Sequence, residues 1–254
     1  MSSIFDHADF SSTMFFPRRD KTRAPAGATD VAVDVADGAR LHLRVHSAPQ
    51  ARAALLLFHG NGEVVADHDS AASAYADAGA ALMVVDYRGY GASSGSPTLR
   101  ACLSDAHRVL DAALSLRGDR PLVVMGRSLG SLSAAELCQT ARDEVSGYVF
   151  ESGIADLDGV VRRRGIVLDA PLSERDRDDF DPLRRHARCT TPSLVLHGAC
   201  DTLIGPHEAK ATFNALATAD KSIVFVSERG HNDLSFDGIY WSALSDFVAR
   251  VATR

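Results

Sequence analysis

From residue 53 onward the chain alternates between two textures. Short unbroken apolar runs, A-A-L-L-L-F (53–58), A-L-M-V-V-D (81–86), P-L-V-V-M-G (121–126), G-Y-V-F-E (147–151), S-L-V-L-H-G (193–198) and S-I-V-F-V (222–226), are each followed by a longer Ala-rich or amphipathic stretch. A strand that is apolar at every position must be covered on both faces, and alternation with helices predicts a doubly wound α/β architecture with a parallel sheet. Ahead of these runs, V-A-V-D-V (31–35) and R-L-H-L-R-V-H (40–46) flank Asp37-Gly38. That dipeptide favours a tight turn, so an antiparallel hairpin is expected there. The first thirty residues, polar and Pro-containing, read as a lead-in. Residues 152–190 break the strand-helix rhythm with R-R-R at 162–164 and the charge-dense S-E-R-D-R-D-D-F-D. They read as a short lid-like insertion, with 1–254 forming a single domain.

Composition narrows the function classes. The chain has 254 residues, 46% hydrophobic, enough for one large core. With 33 acidic against 27 basic side chains, a formal net charge of -6, there is no basic footprint for nucleic acid. Cys102, Cys138, Cys189 and Cys200 show no C-x-x-C spacing, so neither a zinc site nor a disulfide framework is expected, and a reducing cytoplasm fits. The start M-S-S-I-F-D-H-A-D-F places acids where a signal peptide needs a basic start and an apolar run, and no segment reaches the roughly 20 apolar residues of a membrane span. A soluble protein without membrane anchor is expected.

In doubly wound sheets ligands sit at the carboxyl ends of the strands, which directs attention to the residues after each apolar run. Gly126-Arg127-Ser128-Leu129-Gly130 lies between a strand and the helix-like S-L-S-A-A-E-L-C. A serine on such a turn needs small neighbours two positions away, because the backbone is strained and the chain passes close by. Ser128 is therefore the candidate nucleophile, with the Leu129 N–H at a helix start aimed at a developing oxyanion. His59-Gly60-Asn61-Gly62 ends the first parallel strand and makes the Asn61 N–H the second candidate donor, with His59 expected to hold the loop. A serine needs a base, and the base a carboxylate. His231 in R-G-H-N-D and Asp201 in H-G-A-C-D supply them after the last two strands, with Glu151, at the end of Y-V-F-E, as the competing acid. Asp86 and Arg88 read as a structural pair near the sheet edge. The remaining histidines show no metal-binding spacing, and no cofactor is called for.

These blocks, F-H-G-N-G-E, V-D-Y-R-G-Y-G-A-S-S-G-S-P, M-G-R-S-L-G-S, L-H-G-A-C-D-T-L-I and R-G-H-N-D-L, resemble the α/β-hydrolase superfamily. Within it the chain looks like the small serine aminopeptidase-like and prolyl-oligopeptidase-like hydrolases with a short lid, a likeness running from about residue 55 to 235. The resemblance implies an eight-stranded, mostly parallel sheet with helices on both faces and the first strands antiparallel. It also implies Ser128, Asp201 and His231 as a triad, and backbone amides of Asn61 and Leu129 as the oxyanion hole. The expected function is hydrolysis of a small-molecule ester or thioester through an acyl-enzyme. Alternatives are a peptidase or aminoacyl amidase on the same triad, or a non-catalytic binding module on the fold. A dinucleotide-binding oxidoreductase is suggested superficially by G-Y-G-A-S-S-G, but Ser96-Pro97 separates that loop from any following helix.

Overall fold

A computed structural model describes residues 3–140, 142–163, 165 and 171–253. The apolar runs are its central strands: β3 (Ala53–Phe58), β4 (Ala80–Val85), β5 (Leu122–Arg127), β6 (Val145–Glu151), β7 (Ser193–Gly198) and β8 (Lys221–Val226), all parallel. The expected hairpin, β1 (Ala28–Asp34) and β2 (Arg40–His46), adds antiparallel to β4. Its turn places Asp37 (φ 58°) and Gly38 (φ 70°) in the left-handed region, which the Asp-Gly pair tolerates. The eight strands form one sheet in the order β1-β2-β4-β3-β5-β6-β7-β8.

The unbroken hydrophobicity of the strands follows from cover on both sides. In β3, Ala54, Leu56 and Phe58 share a core with α3 (Leu99–Leu116) and α4 (Gly130–Cys138). Ala53, Leu55 and Leu57 pack instead with α2 (Ala72–Asp77) and α9 (Gly238–Val251). α3 buries Leu99, Leu103, Ala106, Val109, Leu110 and Ala113, a three-and-four spacing that lines one helix face. The Thr98 hydroxyl starts it by accepting the Ala101 N–H at 3.1 Å. α8 (Pro206–Ala215) begins with a proline, which has no N–H to leave unpaired in the first turn.

Two segments differ from expectation or refine it. The lead-in is structured: α1 (Ala8–Met14) follows a short turn of 3-10 helix, and Phe5, Phe10 and Met14 are buried. Phe5 packs on the Phe10 ring at 4.9 Å and on Phe180 at 4.7 Å. The anchoring face is only two or three side chains wide, and exposed Asp, Ser and Thr positions between them mask it in composition. The segment read as a lid carries α5 (Leu157–Arg163), α6 (Glu174–Phe180) and α7 (Pro182–His186), while Arg164 and residues 166–170 lie outside the described residues. Its charges are paired across helices: Arg177 with Asp158 at 3.1 Å, Arg184 with Glu174 at 2.8 Å and Arg163 with Glu208 at 2.6 Å.

The parallel registers align the strand ends that matter. Phe58 stands opposite Gly126, Arg127 opposite Glu151, and Glu151 opposite Leu196. The loops after β3, β5, β6 and β7 therefore leave the sheet side by side.

Candidate active site

Ser128 leaves β5 with φ 51°, a left-handed conformation that a side-chain-bearing residue adopts at a cost of about 1–3 kcal/mol. The turn is tight enough to exclude any Cβ on either side. One placed on Gly126 would lie 2.4 Å from the Gly130 carbonyl oxygen, and one on Gly130 would lie 2.0 Å from that of Phe58. The Ser128 N–H is held by the Glu151 carbonyl at 2.9 Å, so the elbow is tied to β6 as well as to its own strand.

His231, in the loop between β8 and α9, brings Nε2 to 2.9 Å from Ser128 Oγ and Nδ1 to 2.7 Å from Asp201 Oδ2. With the proton on Nδ1, the ring donates to Asp201 and leaves Nε2 to accept from the serine hydroxyl. Asp201 Oδ1 accepts the N–H groups of Leu203 and Ile204, both at 2.9 Å. Burial pushes its carboxyl pKa up, but the His231 hydrogen bond and these amides outweigh it and hold it below the ordinary aspartate value. Glu151, the competing acid, is engaged elsewhere: its oxygens accept from Arg127 Nε at 3.1 Å and from the Tyr240 hydroxyl at 2.8 Å.

The loop after β3 is fixed from several sides. His59 is fully buried, with Nδ1 2.7 Å from the Gly60 carbonyl oxygen and its own carbonyl accepting from the Tyr87 hydroxyl at 2.7 Å. The Asn61 side chain is bolted to the N-terminal segment. Its Oδ1 accepts from the Phe16 N–H (2.9 Å) and the Tyr90 hydroxyl (2.6 Å), and its Nδ2 donates to the Met14 carbonyl (2.6 Å). Among the described residues no acceptor takes the N–H of Asn61 or of Leu129, and both residues line the cavity above Ser128. Beneath the loop, Glu63 accepts the Gly60 N–H at 2.8 Å and pairs with Arg127. Burial opposes its charge, but the nearby His68 ring and Arg127 hold its pKa at about 2.

Asp86 and Arg88 do not pair with each other. Arg88 forks onto Asp105 at 2.6 and 2.8 Å, whereas Asp86 meets His42 Nδ1 at 2.9 Å and accepts the Val65 N–H at 3.0 Å. Both are structural, and each finds its own neighbours on a different element. The N-terminal wall and the Arg127–Glu63 pair were missed from sequence. Phe10 and Met14 at helical spacing, and the glutamate closing H-G-N-G-E, were the available signals.

The cavity over Ser128 measures about 410 Å³. Met14 and Phe16 form one wall, Ile154 and Val160 of the segment after β6 another, and Leu203 and Ile204 a third. Among the described residues no cluster of His, Cys, Asp and Glu is arranged to hold a metal ion.

Several known proteins are similar to this chain. Residues 49–167 match the family described as serine aminopeptidase, S33. An uncharacterized membrane protein of Saccharomyces cerevisiae is 28% identical across 68% of this chain, and the match spans only 62% of that relative's length. Alpha/beta hydrolase domain-containing protein 17B of Homo sapiens is 28% identical across 81% of this chain and 69% of its own. Among solved structures, the Pyrococcus furiosus esterase Pf2001 superposes with a TM-score of 0.73 at 17% identity, covering 92% of this chain and 98% of that one. Est1E from Butyrivibrio proteoclasticus gives 0.70 at 17% identity, over 89% and 99%. At such identities the structural likeness speaks for the fold alone.

Proposed function

The chain belongs to the α/β-hydrolase superfamily and has its fold, and from that premise we propose that it is a serine hydrolase cleaving carboxylic esters or thioesters of small to medium size. The observation that carries this reading is the continuous hydrogen-bonded line from Asp201 through His231 to Ser128, at 2.7 and 2.9 Å. The hydrolase family match supports the same class of chemistry.

The proposed reaction has two steps. Ser128 Oγ attacks the carbonyl carbon as His231 Nε2 takes its proton, and the carbonyl oxygen becomes an oxyanion facing the N–H groups of Asn61 and Leu129. Each such preorganised donor lowers the barrier by about 3 kcal/mol. Collapse breaks the bond to the alcohol or thiol, which leaves with the proton from His231, and an acyl-enzyme remains. Water then attacks the acyl group, gives its proton to His231, and the acid departs as Ser128 regains a hydrogen. These steps use neither metal nor cofactor.

The cavity supports an acyl ester over an aminopeptidase substrate. A free substrate ammonium needs an available carboxylate, and the carboxylate on the cavity wall among the described residues is Glu63. Its oxygens are already committed to Arg127 and the Gly60 amide. The apolar walls suit a short or medium acyl chain. We further propose one domain, since all eight strands share one sheet, with 152–190 as its lid. Four free cysteines are in keeping with a cytoplasmic location, and among the described residues no helix is long and apolar enough to cross a membrane.

The test is turnover of p-nitrophenyl butyrate and of a butyryl thioester by the wild-type chain and by Ser128→Ala. The variant should lose on the order of 10⁶ in kcat while folding normally. Equal turnover by both proteins would sink the assignment.

A further inference from the structure

Arg127, the first variable residue of the G-x-S-x-G turn, is attached to one strand end and two separate loops. Its Nε donates to Glu151 Oε1 at 3.1 Å at the end of β6, and its Nη1 donates to Glu63 in the loop after β3. Nη2 reaches the loop after β8, donating to the His231 carbonyl at 3.2 Å and to Asn232 Oδ1 at 2.8 Å. The register that sets Arg127 opposite Glu151 aims the guanidinium along the row of strand ends instead of into a helix layer. Glu63 completes the link by accepting the Gly60 N–H, one residue before the Asn61 amide. Gly60 leaves the space that the two side chains occupy, since a Cβ there would meet Arg127 Nη1 and the Glu63 carboxylate.

We infer that Arg127 and Glu63 are positioning residues that hold the oxyanion loop and the histidine loop in register with Ser128, a role that rests on the serine-hydrolase reading. Neither touches the reacting atoms. Arg127 sits next to the nucleophile in the chain and grips the backbone of the base, so it transmits one geometry to both. A planar fork with several donors can bind four acceptors at once; an ammonium at the same site cannot span them. Both side chains border the polar end of the cavity, away from its apolar walls, and the pair acts on the transition state, where a displacement of about 1 Å costs roughly 100-fold in rate.

The experiment compares wild type with Arg127→Lys, Glu63→Gln and Asn232→Ala in steady-state hydrolysis of p-nitrophenyl butyrate, in inhibition by a butyl boronic acid, and in thermal unfolding. The boronic acid bonds to the serine and places an oxygen in the oxyanion hole. Arg127→Lys is expected to lose about 100-fold in kcat, and the other two about 10-fold, with KM within about twofold. The boronate inhibition constant should rise by the same factors. Folded variants that keep wild-type kcat, or whose loss lies in KM, would overturn the inference, as would losses that track only the unfolded fraction. Should Arg127→Lys fail to fold, the solvent-facing Asn232→Ala carries the same test. A wild-type chain that neither turns over the ester nor binds the boronate would instead remove the serine-hydrolase reading itself.

Discussion

Ser128 combines a left-handed backbone with a side chain that must point at His231, and the two demands conflict energetically. Glycine would adopt φ 51° without strain. Ser128→Gly should therefore be inactive yet more stable than Ser128→Ala by about 1 kcal/mol. In a chain of this length that amounts to roughly 2–4 °C in melting temperature, readable by calorimetry on the two variants side by side. An equal or lower melting temperature for the glycine variant would show that the elbow stores no such strain. The residues that converge here were legible in the sequence to unequal degrees. Ser128, Asp201 and His231 each follow an apolar run in a fixed order, so linear position pointed to them. The side-chain partners of Arg127 are Glu63, Glu151 and Asn232, which lie far apart in the chain and meet only in the fold.

The strands were the easiest elements to read because burial on both faces leaves no polar position to blur the pattern. The N-terminal helix was lost for the opposite reason. A seven-residue helix anchored through Phe10 and Met14 offers one apolar stripe, and the Phe5 ring that packs beside Phe10 finds its other partner, Phe180, 175 residues away in the chain. The crossing of β5 into α4 depends on a close approach that sequence could only hint at through its glycines. With the Gly130 Cβ position 2.0 Å from the Phe58 carbonyl oxygen, α4 cannot accept a methyl there without retreating from β3. Gly130→Ala is expected to destabilise by more than about 3 kcal/mol, at the upper end for overpacking. Urea unfolding measures this; a shift below about 1 kcal/mol would mean that the helix and strand can separate freely.

Taken as one molecule, the protein should lose stability on acidification in two stages. His186 is buried, its ring nitrogens make no hydrogen bond among the described residues, and it packs edge-on against Phe150 at 4.7 Å. Burial, helped by the neighbouring Arg185 charge, lowers its pKa to about 3. The unfolded chain thus binds a proton near pH 6.5 that the folded chain refuses, and stability falls as pH drops from 6.5 toward 3 at up to about 1.4 kcal/mol per pH unit. Glu63 and Asp86, both held at about 2, add their loss only below about pH 4.5, where the unfolded carboxylates begin to protonate. His42, whose pKa is raised by Asp86 and Asp30 despite burial, acts in the opposite sense: its contribution is full below pH 6.5 and disappears above its folded value. His186→Leu should flatten the decline between pH 6.5 and 4.5 in urea titrations and leave the steeper fall below it. An unchanged slope would assign the first stage to another group.

The central claim is that Ser128 is activated by His231 and Asp201, and it is tested most directly by reaction with a fluorophosphonate, followed by peptide mass spectrometry. The account predicts a single adduct on Ser128, absent from His231→Ala and slowed by several orders of magnitude in Asp201→Asn. A folded wild-type protein that stays unlabelled, or that is labelled equally in His231→Ala, would contradict it.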